Sequence, residues 1–269
     1  MLPFILALAA AVQVPASPAA PPTQDRQIAM TASLGTILFA LDRAAWVASD
    51  ALNAKLPKDQ LTGVGGWVVE RDEGDVLVVT FYRGQGDAAR ALFTADVRAG
   101  KVVDSRPAPA DTALTPAQHR LARARDAAAQ EAVARGYRPC TAAPFNTVVV
   151  PSSNPQAPTL VYLLSAQVAA GTYPMGGHYR VVVGPDGRVT GSRPFSKSCL
   201  NMPVPRASGG QRPAGLFVSH VLDPVPTETH VFTSLSAGLP LFVGAGGKVW
   251  SVNGRTITVS DIKPPAPPR

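Results

Sequence analysis

Four side chains that could carry out chemistry lie close together late in the sequence. They are His220, Asp223, Glu228 and His230. Imidazole and carboxylate groups bind metal ions, and they also transfer protons as general acids and bases. This short segment is therefore the first candidate for a metal site or a hydrolytic active site.

The predicted strands around these residues reduce the set. Runs of β-forming residues at 216–222 and 230–235 predict two strands, which Pro224 to Thr227 would join as a hairpin. Because side chains alternate along a strand, three of the four groups would share one face, and His220 would point to the other. Those three candidate catalytic residues are Asp223, Glu228 and His230. In the alternative interpretation the carboxylates cap the loop and His230 is a half-buried strand residue.

Established catalytic motifs give no support to an enzyme. The sequence has no G-x-S-x-G nucleophile elbow, no H-E-x-x-H zinc motif and no EF-hand loop. The segment from His220 to His230 also lacks a recognised metal-ligand spacing. We therefore predict no cofactor and no bound metal, and a hydrolase stays the alternative to a non-catalytic protein.

The two cysteines, Cys140 and Cys199, are predicted to form one disulfide bond. An exported chain folds in an oxidising compartment, where thiols that come close together pair. Zinc binding is disfavoured because neither cysteine has a Cys or His within two to four residues. Two separate buried thiols are the alternative.

The N-terminal residues predict export. Leu2 to Val14 is uncharged and mostly apolar, but shorter than the about 20 residues of a membrane span. Val14-Pro15-Ala16 and Ser17-Pro18-Ala19 follow, and each offers small residues at the positions that a signal peptidase reads. Residues 1–22 are therefore a predicted signal peptide, which gives a periplasmic or secreted protein without a transmembrane span after its removal. The alternative is a buried N-terminal helix.

The charge distribution suggests a class of partner. The chain carries a formal net charge of +7. Residues 141–222 contain six basic side chains and only one acidic side chain. Arginine binds phosphate and carboxylate groups well. We predict an anion-binding surface beside the disulfide, formed by Arg138, Arg193 and Lys197, for an anionic envelope component or an acidic protein. Export disfavours nucleic acid, and compositional bias is the alternative explanation.

The first part of the chain has the pattern of a helix followed by strands. Apolar residues recur every three or four positions over about 31–54, which predicts a helix. Runs at 67–70, 76–82, 91–97 and 101–103 predict strands with short turns between them. A helix and a one-sided sheet bury their apolar faces against each other, so these elements should form one packed unit.

The second part repeats this order on a larger scale. Thr115-Pro116 predicts the start of a helix and Arg135-Gly136 its end. Nine runs rich in β-forming residues follow between residues 147 and 259. We therefore predict an α+β fold: an N-terminal helix packed on a small antiparallel meander, followed by a helix and a larger antiparallel β-rich module.

Composition and linkers set the boundaries of the predicted modules. A length of 269 residues with 46% hydrophobic residues allows one or two globular domains and excludes wholesale disorder. A Pro/Ala-rich connector after Arg106 separates two modules, and the C-terminal residues are too rich in proline to pack as helix or strand. The predicted divisions are 1–22, 23–112, 113–262 and the disordered tail 263–269.

These observations favour an exported binding or structural module with a basic surface. No motif supplies a nucleophile or a cofactor site, whereas the arginine excess suggests anionic partners. The alternative is a periplasmic hydrolase that uses Asp223, Glu228 and His230.

Overall fold

The structure, a computed structural model, describes residues 23–204 and 213–261. Three α-helices lie within those residues: α1 (Gln24–Lys55), α2 (Pro116–Arg135) and α3 (Glu228–Ala237). The predicted signal peptide at 1–22 and the predicted tail at 263–269 lie outside the described residues.

The first helix begins earlier than predicted. α1 starts at Gln24, where the Thr23 hydroxyl accepts a hydrogen bond from the Arg26 amide and caps the helix. Gly35 lies within the helix and does not interrupt it. A glycine is needed at this position because a β-carbon would overlap the side chain of Val231 in α3. Among the described residues, α1 is the one helix with the length and hydropathy to cross a membrane. Here its apolar residues pack in the protein core.

The first sheet is a four-stranded antiparallel meander, as predicted. Its strands are β1 (Val64–Arg71), β2 (Leu77–Arg83), β3 (Arg90–Arg98) and β4 (Lys101–Pro107), in that spatial order. Side chains alternate along each strand, so that Val69 and Phe81 pack toward α1, whereas Val68 and Tyr82 pack toward α2.

The second sheet follows α2 and is also antiparallel. Its strands in spatial order are β5 (Asn146–Val150), β6 (Thr159–Leu164), β8 (Tyr179–Val183) and β9 (Val189–Pro194). Two short strands outside it, β7 (Thr172–Pro174) and β10 (Asn201–Pro203), pair with each other. Thr115 and Gln118 form a capping box at the start of α2, and Gly136 ends the helix in the left-handed conformation, as the sequence predicts.

Both sheets contribute to the same two cores. Val148 and Tyr162 of the second sheet join the core around α1, whereas Val149 and Val161 join the core around α2. The buried face of α2 consists mainly of alanines, which allows close approach of the strands. Both apolar cores thus contain residues from either side of residue 112. The division of the chain into two modules at that residue stays a prediction.

The third sheet contains the main departure from the sequence analysis. Its strands are β11 (Leu216–Ser219), β12 (Leu241–Ala245), β13 (Lys248–Asn253) and β14 (Thr256–Val259). The strand predicted at 230–235 is wrong, because these residues belong to α3. The helix crosses from β11 to β12, so these two strands are parallel rather than members of a hairpin.

The local sequence explains both the error and the helix. Val231 and Thr233 are β-branched residues, which favour strands in isolation. Thr227 and His230 nevertheless form a capping box at the start of α3, and Gly238 adopts the left-handed conformation at its end. Packing of α3 against α1 outweighs the weak local preference. The α+β class itself is confirmed.

Candidate functional site

The candidate carboxylates lie at the start of α3 and in the loop before it, where they meet two arginines of the second sheet. Arg180 on β8 and Arg193 on β9 are direct partners in the antiparallel register. Like charges placed opposite each other destabilise a sheet unless they are neutralised. Asp223 and Glu228 supply the two negative charges.

Asp223 is held by Arg193 and His220. The Arg193 guanidinium donates from Nη1 to Oδ1 at 2.9 Å and from Nη2 to Oδ2 at 2.5 Å. His220 Nε2 lies 2.8 Å from Oδ2 of the same carboxylate. Burial alone would raise the pKa of Asp223, but these hydrogen bonds and charges hold it well below its usual range. Asp223 is therefore an ionised, fully engaged carboxylate at neutral pH.

Glu228 is more deeply buried than Asp223, with 7% of its side chain exposed against 14%. Its Oε1 accepts hydrogen bonds from Arg180 Nη1 at 2.7 Å and from the Tyr162 hydroxyl at 2.9 Å. A carboxylate that already accepts a charged and a neutral hydrogen bond is poorly placed to take a proton from a substrate. We call the five charged or titratable residues of this site the ionic cluster: Arg180, Arg193, His220, Asp223 and Glu228.

His230 lies beside the ionic cluster as a neutral ring. Its Nδ1 accepts a hydrogen bond from the backbone amide of Thr227 at 2.9 Å, and its ring meets the His220 ring edge-on at 4.8 Å. Burial, together with the neighbouring His220, lowers the pKa of His230 to about 3. A base of such low pKa takes up protons poorly at neutral pH.

The structure thus brings the three candidate catalytic residues together at α3, although not on the predicted hairpin. Asp223 has both carboxylate oxygens hydrogen-bonded within the protein, Glu228 has its Oε1 and His230 its Nδ1. Among residues 23–204 and 213–261, no group of three or more His, Cys, Asp and Glu side chains could hold a metal ion. Hydrogen bonding and burial in the ionic cluster favour a structural role.

The predicted disulfide is confirmed, because Cys140 and Cys199 are bonded with their α-carbons 5.2 Å apart. The three basic residues predicted beside it differ in their surroundings. Arg138 and Lys197 are exposed near the two ends of the bridge. Arg193 instead turns its guanidinium to Asp223. One of the three charges is therefore neutralised inside the protein.

A cleft that the sequence analysis did not anticipate lies between the first and second sheets. Its volume is about 790 Å³, and its floor is one face of α2. Its walls are Glu70 and Arg71 at the end of β1, the β5–β6 loop around Asn154 and the β8–β9 turn around Asp186. These segments lie far apart in the sequence, so no local pattern could have indicated the cleft.

The arginines of the cleft have weak internal partners. Arg71 lies 3.4 Å from Asp75, and Arg123 lies 3.8 Å from Asp87; all four side chains are at least half exposed. Arg120 donates to a backbone carbonyl in the first turn of its own helix. Exposed ion pairs of this kind contribute little, so an incoming anion can displace them at small cost.

Two of the three acids of the cleft accept hydrogen bonds within the protein. Glu70 accepts a hydrogen bond from the Gln118 side chain at 2.8 Å. Asp186 accepts one from the backbone amide of Arg188 at 3.1 Å, within its own turn. Burial raises the pKa of Asp126, which disfavours its charged form. The cleft is therefore lined by three arginines and three acids, and two of the acids accept hydrogen bonds within the protein.

No protein-family model, no curated protein and no solved structure matches this chain. Its function must therefore be argued from its own residues. The disulfide and an apolar helix near the N-terminus are compatible with export.

Proposed function

We propose that the protein is a periplasmic or secreted, non-catalytic binding module whose ligand site is the cleft between the two sheets. The observation that carries this proposal is the cleft itself. Ligand sites of proteins are concave, measure about 300–1,000 Å³ and occur where structural units meet. The cleft, at about 790 Å³, is built from both sheets and from α2.

The ligand class is an anionic polymer of the cell envelope. Arg71, Arg120 and Arg123 line the cleft with only weak partners, whereas two of the three acids, Glu70 and Asp186, accept hydrogen bonds within the protein. Guanidinium groups bind phosphate and carboxylate in a two-pronged geometry. In the ionic cluster, by contrast, both arginines are already paired with carboxylates of the protein. This proposal moves the predicted anion-binding surface from the disulfide to the cleft.

We expect a bulky side chain on the cleft floor to block binding. Ala127 lines the cleft on α2, and Ala129 is exposed on the same helix outside it. Inorganic polyphosphate and polygalacturonate serve as probes that carry phosphate and carboxylate groups, respectively. Titration calorimetry should show that Ala127→Trp weakens binding of at least one probe by about tenfold or more, or about 1.4 kcal/mol. Ala129→Trp should bind as the wild type does.

A charge-removal variant tests the same site without adding bulk. The triple variant Arg71→Gln, Arg120→Gln and Arg123→Gln should bind more weakly. Its affinity should also depend less on salt concentration, because salt weakens the attraction between charges and the variant has fewer charges to attract the ligand. The matched control is Arg138→Gln with Lys197→Gln, which removes two exposed charges near the disulfide. If the control loses binding and the cleft variant keeps it, the ligand site is beside the disulfide and the proposal is wrong. Far-UV circular dichroism checks folding of every variant.

Export is tested by the N-terminus of the mature protein. We expect it to begin between about residues 16 and 22, because small residues follow the apolar segment there. N-terminal sequencing of protein from the cell envelope decides this directly. Recovery of a chain that starts at Met1 in the cytoplasm would contradict both the localisation and the choice of an envelope polymer as ligand.

A further inference from the structure

A small polar cavity lies between α1, the second sheet and α3, away from the cleft. Its volume is about 80 Å³. Each water molecule takes up about 30 Å³ in the liquid, so the cavity holds a group of only a few atoms. Its wall includes Asp42 of α1, Asn146 of β5, His178 just before β8, and Thr233 and Ser236 of α3. None of its lining residues lines the cleft.

The Thr233 and Ser236 hydroxyls in this wall can only accept further hydrogen bonds. Thr233 donates its single hydroxyl proton to the Thr229 carbonyl at 2.9 Å, and Ser236 donates to the Phe232 carbonyl at 2.8 Å. A hydroxyl has one proton and two lone pairs, so each oxygen keeps acceptor capacity. The α3 side of the cavity therefore suits a ligand that carries N–H donors.

His178 does not compete for such a ligand. Its Nδ1 accepts a hydrogen bond from the Ser165 backbone amide at 3.1 Å, and its Nε2 lies 3.0 Å from the Pro174 carbonyl. Burial lowers the pKa of His178 to about 4, so the ring is mainly neutral from pH 5 upward. The Tyr173 phenol is another polar group in the wall of the cavity.

Asp42 is the acidic side chain of the cavity, and it lacks a cation. Its carboxylate accepts a hydrogen bond from the Asn146 side-chain amide. Within the described part of the chain it forms no ion pair, and the neighbouring Arg43 stacks on Trp46 with 4.3 Å between guanidinium carbon and ring centre. Burial raises the pKa of Asp42 to about 6, although the Asn146 hydrogen bond and the Arg43 charge lower it.

We propose that this cavity binds a primary ammonium group, with Asp42 as its counter-ion and the hydroxyl oxygens of Thr233 and Ser236 as acceptors. An ammonium group carries one positive charge and three N–H donors, which matches one carboxylate and neighbouring acceptors. The carboxylate repels anions. Divalent cations such as calcium require several oxygen ligands, usually including more than one carboxylate, so a metal suits the cavity less well.

The first experiment uses methylammonium, the smallest primary ammonium with a carbon attached. Titration followed by amide NMR should show a single site that perturbs Asn146 and Thr233 at pH 7.5. Asp42→Asn keeps a hydrogen-bond acceptor opposite Asn146 but removes the charge, and it should weaken binding by about tenfold or more, or about 1.4 kcal/mol. The control is Asp50→Asn, an exposed position on the same helix, which should leave the affinity unchanged.

The pH dependence of the wild type gives an independent test if the variant fails to fold. With a free pKa of about 6, roughly nine-tenths of Asp42 carboxyls are protonated at pH 5, so the affinity should fall about tenfold from its value at pH 7.5. His178 stays mainly neutral over this range, so its titration does not reproduce the effect. Affinity that is independent of pH would overturn the proposal, as would an Asp42→Asn variant that binds normally.

Three further ligands define the specificity. Tetramethylammonium has a positive charge but no N–H donor and should not bind. Butylammonium represents a lysine side chain and glucosamine represents an amino sugar. The ligand that binds with the higher affinity identifies the source of the ammonium group. If tetramethylammonium binds as well as methylammonium, or if methylammonium does not bind, the cavity does not recognise an ammonium group.

Discussion

Replacement of Arg180 by alanine should lower the free energy of unfolding by about 3 kcal/mol, because it leaves a buried carboxylate without its cation. Glu228 has 7% of its side chain exposed and accepts its charged hydrogen bond from Arg180 at 2.7 Å. The Tyr162 hydroxyl would still donate to Glu228, but a neutral donor does not replace a positive charge. Equilibrium unfolding in guanidinium chloride at pH 7 measures the loss.

Two further variants separate this effect from a general effect of arginine removal. Arg188 is exposed in the turn between β8 and β9 and lies 3.9 Å from Asp186, so Arg188→Ala should cost no more than about 0.5 kcal/mol. Arg180→Ala combined with Glu228→Gln removes both charges and should be more stable than Arg180→Ala alone. Equal losses for Arg180→Ala and Arg188→Ala would show that the ionic cluster does not stabilise the fold.

The ionic cluster explains how the third sheet is attached to the rest of the protein. Arg180 and Arg193 stand opposite each other on β8 and β9, where each would repel the other. The carboxylates that neutralise them come from α3 and the preceding loop. Each acid forms an ion pair with one arginine. These ion pairs, together with apolar packing, hold α3 in its position on the second sheet.

Local patterns in the sequence predict the fold well wherever a signal is complete within a few residues. A run of β-forming residues predicts β2, and the Thr115-Pro116 start with the Arg135-Gly136 end predicts α2. At α3 the local signals conflict, since β-branched residues favour a strand while Thr227 and Gly238 are suited to a helix start and end. Contact with α1 decides the outcome, and that contact cannot be read from the segment itself.

The candidate sites depend on contacts between distant residues, which explains why the sequence shows so little of them. Asp42 and Asn146 meet across 104 residues, and Arg180 and Glu228 meet across 48. The clustering of Asp223, Glu228 and His230 in the sequence reflects a real cluster in the structure. Arg180 and Arg193 form the ion pairs with these carboxylates, and this pairing could not be assigned without the fold.

Loss of the disulfide should have the largest effect on stability of the changes considered. Cys140 and Cys199 are 59 residues apart, and a cross-link that closes a loop of this size stabilises the folded state by about 4 kcal/mol in the chain-entropy model. The double variant Cys140→Ser with Cys199→Ser should lose this amount in guanidinium unfolding without reductant. The loss is a large part of the about 5–15 kcal/mol that stabilises a typical domain.

Reductant supplies the matched control for the disulfide. Dithiothreitol should lower the stability of the wild type to nearly that of the double variant and should leave the double variant unchanged, since it has no bond to reduce. The bridge joins the segment after α2 to the segment before β10, and Gly177, which has a positive φ of 68°, packs closely against Cys140. A wild type that is equally stable with and without dithiothreitol would show that the bridge contributes nothing measurable, and it would remove the main structural support for an oxidising compartment.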